Sequence, residues 1–272
     1  MNLVAIILAT LAAGIGSVWV AALRMRAGLG GRADGVGPQH LLSLAAGALL
    51  ATAFMHLLPE AFESQAGAHD LFATLLVGVV FFFLLDKAEL WHHGHEHSHP
   101  EAAHAGHAHA HDDHHHHHAH APRAGGWAVL TGDSVHCFGD GILIASAFMA
   151  DMRLGVIAAL SVLAHEVPHH MGDLVVLRQT SPNRRMALVK VSLAGAVTAL
   201  GGVVGYFLVG QLHDFLPYFL AVASSSFVYV ALADLIPQLQ KRLTARETVL
   251  QIVWLVAGMV IVTLVSGLAH SH

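Results

Sequence analysis

Apolar residues along this chain gather into eight runs, at about 2–23, 40–60, 71–91, 127–150, 154–177, 187–210, 215–237 and 247–269. A helix rises about 1.5 Å per residue, so about 20 apolar residues cross a hydrocarbon core, and each run is long enough. Their ends are marked by Arg or Lys, by Gly or by Pro. The pattern predicts an all-α polytopic membrane protein of eight transmembrane helices. A polar interval, 92–126, separates the third run from the fourth, which groups the helices 3+2+3. The other connections are short, so consecutive helices are expected to pack as antiparallel neighbours. The whole chain, 1–272, reads as a single transmembrane domain, with 92–126 a disordered loop.

Two runs break the apolar pattern at mid-span. Leu154–Leu177 reads LGVIAALSVLAHEVPHHMGDLVVL and carries His165, Glu166, His169, His170 and Asp173. At about 100° per residue these five occupy an arc of about 140°. A charged side chain at the bilayer centre costs roughly 2.5–3.5 kcal/mol even on insertion scales, so such groups face a bundle interior. The fourth run contains DSVHCFGDG, in which His136 and Asp140 stack four residues apart. Asp133 and Cys137 fall within about 100° of them on the same wheel. Antiparallel fourth and fifth helices bring these groups to one depth. Pro168, inside the fifth helix, removes a backbone donor and frees the carbonyl near Ala164.

Composition sharpens this picture. The chain is 55% hydrophobic and 11% charged, whereas soluble domains are about 25% charged; most of it therefore sits in lipid. The single cysteine, Cys137, excludes an intramolecular disulfide framework. Of the 25 histidines, 15 lie in 92–126, a tract of the kind that binds metal loosely. With the N-terminus outside, 12 of the 13 Lys+Arg fall in cytoplasmic segments and only Arg153 lies outside. The first run has no positive n-region and is followed by Arg24, Arg26 and Arg32, as in an uncleaved helix. Both termini are then outside the cytoplasm, and the His-rich loop is within it.

Imidazole with carboxylate suits zinc, iron, manganese or cobalt, and a thiolate shifts preference toward zinc or cadmium. The letters HEVPH (165–169) also match H-E-x-x-H, the zinc-protease signature in which Glu is the general base. An intramembrane zinc metalloprotease is thus an alternative reading, opposed by Pro168 within the motif and by the further polar groups His170 and Asp173. No GxxxxGK[ST] loop is present, so ATP is not the expected energy source.

HCFGDG (136–141) and HEVPHHMGD (165–173) closely resemble the ZIP family of divalent-metal transporters, in the branch reading HNxxDG and HExPHxxGD. HLLPEAF (56–62), ALADLIP (231–237), the 3+2+3 layout and the His-rich loop extend the resemblance over nearly the whole chain. It implies a binuclear site between helices four and five, one metal on His136, Asp140, His165 and His169. The second would use Cys137 and Glu166, with His169 bridging. It also implies transport of Zn²⁺ (with Cd²⁺, Fe²⁺ or Mn²⁺ as alternatives) into the cytoplasm, and no enzymatic activity. Three departures stand out: Cys137 occupies the Asn position, Thr52 a commonly acidic one, and the sixth run has no acidic residue.

Depth then suggests an ion pathway. His56 and Glu60 lie near the outer end of the second helix; Asp133, His170 and Asp173 step toward the cytoplasm. Asp234, near the inner end of the seventh helix, is a weaker candidate. The expected partners are the metal ion and the lipid of a plasma or bacterial inner membrane. A homodimer is allowed, and nucleic acid is not expected. Because ligands shed protons when metal binds, pH sensitivity is expected.

Overall fold

The computed structural model describes residues 2–27, 36–94, 125–180, 183–239 and 244–270. The described residues are helical almost throughout and form eight rods. We number them α1 (Asn2–Arg26), α2 (36–62), α3 (Ala68–Gly94), α4 (Gly125–Ala150), α5 (Met152–Thr180), α6 (Arg184–Gln211), α7 (213–239) and α8 (Ala245–His270). Residues 95–124, most of the expected His-rich loop, lie outside the described residues. Six rods, α1 to α3 and α6 to α8, contain segments long and apolar enough to cross a membrane. The two others, α4 and α5, are as long but carry the polar ladder, which lowers their average hydropathy.

The surface is inverted relative to that of a water-soluble protein. Phe72, Leu76, Val77, Phe81 and Leu84 on α3, and Val249, Ile252, Val256 and Val260 on α8, are exposed. The buried groups include Asp133, Asp140, His165, Glu166 and His170. Apolar residues outside and ionisable ones inside match what lipid as solvent demands.

The α4–α5 connection is a single residue, Asp151, whose carboxylate caps α5. Its Oδ1 accepts from the backbone N–H of Arg153 at 2.8 Å and of Leu154 at 3.2 Å. A turn this tight returns the chain directly along α4, which sets the two motif-bearing segments side by side. Around this hairpin, α5 also meets α1 and α2, while α4 packs most extensively on α6. Glycine permits that last contact: a Cβ on Gly141 would strike the Thr198 carbonyl oxygen, and one on Gly201 the Phe138 carbonyl oxygen. The α2–α8 contact uses the same device at Gly47 and Gly258, against Leu255 and Leu44.

Three rods contain a π-helical turn: Ala12–Gly16 in α1, Ala53–Leu57 in α2 and Val230–Leu235 in α7. In α2 and α7 the turn comes just before a proline, Pro59 or Pro237. Its wide bonds, Leu58 N–H to Ala53 O and Ile236 N–H to Ala231 O, rewire the backbone next to the missing donor. These are the HLLPEAF and ALADLIP segments, so two separated stretches share one local solution.

Candidate metal centre

The centre forms where one face of α4 meets one face of α5. Along α4, Asp133, Cys137 and Asp140 are buried and His136 is partly open; along α5, His165, Glu166 and His170 are buried. Their helical spacing of three and four puts each set on one stripe, and the tight turn at Asp151 holds the stripes opposite each other.

Glu166 occupies the middle, 1% exposed, with its two oxygens turned to different neighbours. Oε1 lies 3.2 Å from His136 Nε2 and 3.3 Å from His165 Nε2. The same imidazole nitrogens approach Asp140 Oδ2 at 3.9 Å and 3.2 Å, and each other at 3.4 Å. Oε2 lies 3.1 Å from His170 Nε2 and 3.8 Å from Cys137 Sγ. Asp133 Oδ1 completes that side, 3.6 Å from His170 Nε2 and 3.7 Å from the thiol. Two four-residue groups of candidate ligand atoms result, His136–Asp140–His165–Glu166 and Asp133–Cys137–Glu166–His170, sharing one carboxylate.

A third group, Asp133–His169–Asp173, lies alongside. His169 Nδ1 is 3.4 Å from Asp133 Oδ1 and 3.5 Å from Asp173 Oδ2. The geometry thus places Glu166 between the two main groups, whereas the resemblance gave the bridging position to His169. His169 instead faces Asp133 and Asp173, with its ring 5.4 Å from that of His136. Asp133 and His170, expected along a route, lie in the centre itself. His56 and Glu60 join none of these groups among the described residues. Glu60 is exposed, and its charged surroundings are Glu63 and Asp151 at the same end of the bundle.

The imidazoles are oriented by groups behind them. His165 Nδ1 lies 3.2 Å from the Ser161 carbonyl; a carbonyl only accepts, so Nδ1 carries a hydrogen and Nε2 is the nitrogen turned to the carboxylates, where it can hold either a proton or a metal ion. Ser161 is itself tied to Thr52 of α2, Oγ to Oγ at 2.6 Å. Thr52, which replaces an acidic residue of the resembled branch, therefore braces the ligand helix instead of adding a charge. Ser17 of α1 does the equivalent for His170, its Oγ 2.9 Å from Nδ1. Sequence reasoning missed Ser17 and Ser161: a lone serine in an apolar run carries no signal until the fold shows what stands opposite.

Lone pairs of imidazole and carboxylate converge here in a dry interior. Asp133 Oδ2 is buried without a hydrogen-bond donor, and Asp140 Oδ2, Glu166 Oε1 and Asp173 Oδ2 have imidazole nitrogens as their neighbours. Such an array is stable only with a cation or protons among its members. The donor set of imidazole, carboxylate and thiol belongs to borderline transition metals rather than to Mg²⁺ or Ca²⁺, which take oxygen alone.

Comparison with known proteins accords with this chemistry. The family profile described as ZIP Zinc transporter matches residues 87–266, which include α4, α5 and the whole centre. The chain is similar to Zinc transporter ZIP4 of Homo sapiens, 36% identical over 115 residues, or 42% of this chain and 18% of the relative. It is also similar to Zinc transporter foi of Drosophila melanogaster, 31% identical over 141 residues (52% and 20%), and to Zinc transporter SLC39A7 of Pongo abelii, 30% over 155 residues (54% and 33%). The alignments cover a third or less of these relatives' own length. With two thirds of its residues matched to one family profile, this chain belongs to the ZIP zinc transporter family.

Proposed function

We propose that this protein carries divalent transition-metal cations, Zn²⁺ foremost, across a membrane into the cytoplasm through a binuclear site between α4 and α5. The observation that carries the reading is the convergence on Glu166: its two oxygens serve two groups of buried donors on facing helices. In this reading all eight rods span the bilayer, α4 and α5 being kept from lipid on their polar faces by α1, α2 and α6. His56 and Glu60 stand at the outer entrance, and Asp133, His169 and Asp173 form the step toward the cytoplasm. The charge bias of the connecting segments and helix ends supports termini outside the cytoplasm; the membrane proposed is a plasma or bacterial inner membrane.

An ion moving through such a site exchanges water for protein donors one face at a time. His136 and His169 are the partly exposed members, with side chains 26% and 36% accessible, so exchange begins and ends there. Proteolysis through HEVPH gains no support: H-E-x-x-H requires both histidines on one metal, yet His165 and His169 fall in different groups.

Zinc uptake by the purified full chain in proteoliposomes tests the proposal. We expect uptake by the wild type, loss of uptake in His165→Ala, and partial retention in Glu166→Gln, whose amide keeps one oxygen donor. Absence of uptake in the wild type, with zinc-dependent cleavage of a membrane peptide, would overturn it in favour of the protease.

A further inference from the structure

Ser17 sits deep in the bundle, fully buried, just past the π-helical turn of α1 and on none of the elements that supply the ligands. Its hydroxyl donates to the Gly14 carbonyl at 2.5 Å. Having given its only hydrogen there, Oγ offers a lone pair to His170 Nδ1 at 2.9 Å. His170 Nδ1 must then carry the hydrogen of that bond, which leaves Nε2, on the opposite side of the ring, as the nitrogen that can exchange a proton for a metal ion. Nε2 faces Glu166 Oε2, Asp133 Oδ1 and Cys137 Sγ, at 3.1, 3.6 and 4.0 Å. The four donor residues are each 2% exposed or less, and Asp133 Oδ2 has no hydrogen-bond donor.

We propose that Asp133, Cys137, Glu166 and His170 form a closed, thiolate-containing transition-metal site, and that Ser17 is the positioning residue that makes His170 one of its ligands. This specifies one half of the binuclear centre proposed above and rests on that reading. It differs from the resemblance-based set by taking His170 in place of His169 and by drawing α1 into the centre. Four protein donors, one of them sulfur, leave no open position, as in sites that hold zinc or cadmium firmly. The neighbouring group, with the partly exposed His136, is the more open of the pair. The serine is to His170 what an outer hydrogen-bond partner is to a metal-bound histidine generally: it fixes tautomer and ring direction, at about 10- to 100-fold in affinity when removed.

Titration of the purified full chain with Co²⁺ isolates this site, because only a thiolate ligand produces a sulfur-to-cobalt charge-transfer band in the near ultraviolet. We expect the band in the wild type and none in Cys137→Ser. In Ser17→Ala the Co²⁺ concentration that half-saturates the band should rise about tenfold or more, and Ser17→Thr, which keeps the hydroxyl, should return it to the wild-type value. His170→Gln should weaken the band at least as much without touching α1, so the ligand assignment stays testable if Ser17→Ala fails to fold. A band of unchanged affinity in His170→Gln, or in a folded Ser17→Ala, overturns the proposal. Zinc uptake measured on the same preparations separates the two readings. Uptake without a wild-type band overturns this site and leaves transport standing; a band without uptake overturns transport and leaves the site.

Discussion

Cys137 is the residue at which this chain departs most from the pattern it resembles. Where an asparagine would offer a neutral oxygen, the thiol, fully buried, offers a soft donor that ionises on binding metal. Cys137→Asn should therefore lower cadmium uptake relative to manganese uptake by roughly tenfold, a change read by competing the two ions in proteoliposomes. Equal losses for both ions would mean that the thiol packs the site without selecting its ion. Asp173 makes a different prediction. It contacts His169 at 3.5 Å on the proposed cytoplasmic side, beyond both main groups. Asp173→Asn should slow turnover by more than it raises the half-saturating zinc concentration, because capture happens before the ion reaches it. Equal effects on both would count against this order of stations. The sequence shows which residues share a helical stripe, since spacing fixes angle, but not which side chain sits between the two groups of donors. His169 and Glu166 are about 60° apart on the wheel, and the choice of bridge depends on the rotation of α5 against α4, which no local pattern encodes.

The helices themselves were legible in the apolar runs, and each described rod extends beyond its run or matches it at one end. The fifth run, 154–177, lies within Met152–Thr180, and the sixth, 187–210, within Arg184–Gln211. Hydropathy registers the length that faces lipid, whereas the hydrogen-bonded ladder continues through interfacial residues until a cap such as Asn183 or Asp151 ends it. The π-helical turns were not legible, because Pro59 and Pro237 announce a missing donor but not how the backbone answers it. Helix contacts depend on glycines whose importance appears only in three dimensions. Gly201→Ala would place a methyl against the Phe138 carbonyl, backbone that cannot swing aside, so α6 must move off α4. Overpacking of this kind costs about 1–3 kcal/mol; we expect a lower melting temperature in detergent and reduced zinc uptake. Gly139→Ala meets nothing within 4 Å and should leave the melting temperature equal or higher, alanine being the better helix former by up to about 1 kcal/mol. Similar losses in both variants would show that close approach at Gly201 is not what sets the pair apart.

For the whole molecule, the proposed direction of transport depends on which end of the centre faces the cytoplasm, and charge supports the orientation proposed above. The connections α1–α2, α3–α4, α5–α6 and α7–α8, taken with the helix ends that flank them, hold 12 of the 13 Lys and Arg, while Arg153, at the start of α5, lies at the opposite end. A cytoplasmic excess of Lys and Arg is what fixes topology during insertion. The two sides can be read independently of activity, since the only native cysteine is buried in the centre and the unsubstituted chain therefore serves as a blank for a membrane-impermeant maleimide. In intact cells, Arg153→Cys should label from outside, whereas Arg185→Cys, at the start of α6, should label only after permeabilisation. Both positions are exposed at helix ends, so access to reagent is decided by the membrane and not by burial. The opposite labelling pattern would invert the molecule. The Asp133–His169–Asp173 group would then face outward as the site of capture, His56 and Glu60 would stand at the exit, and the same geometry would describe export.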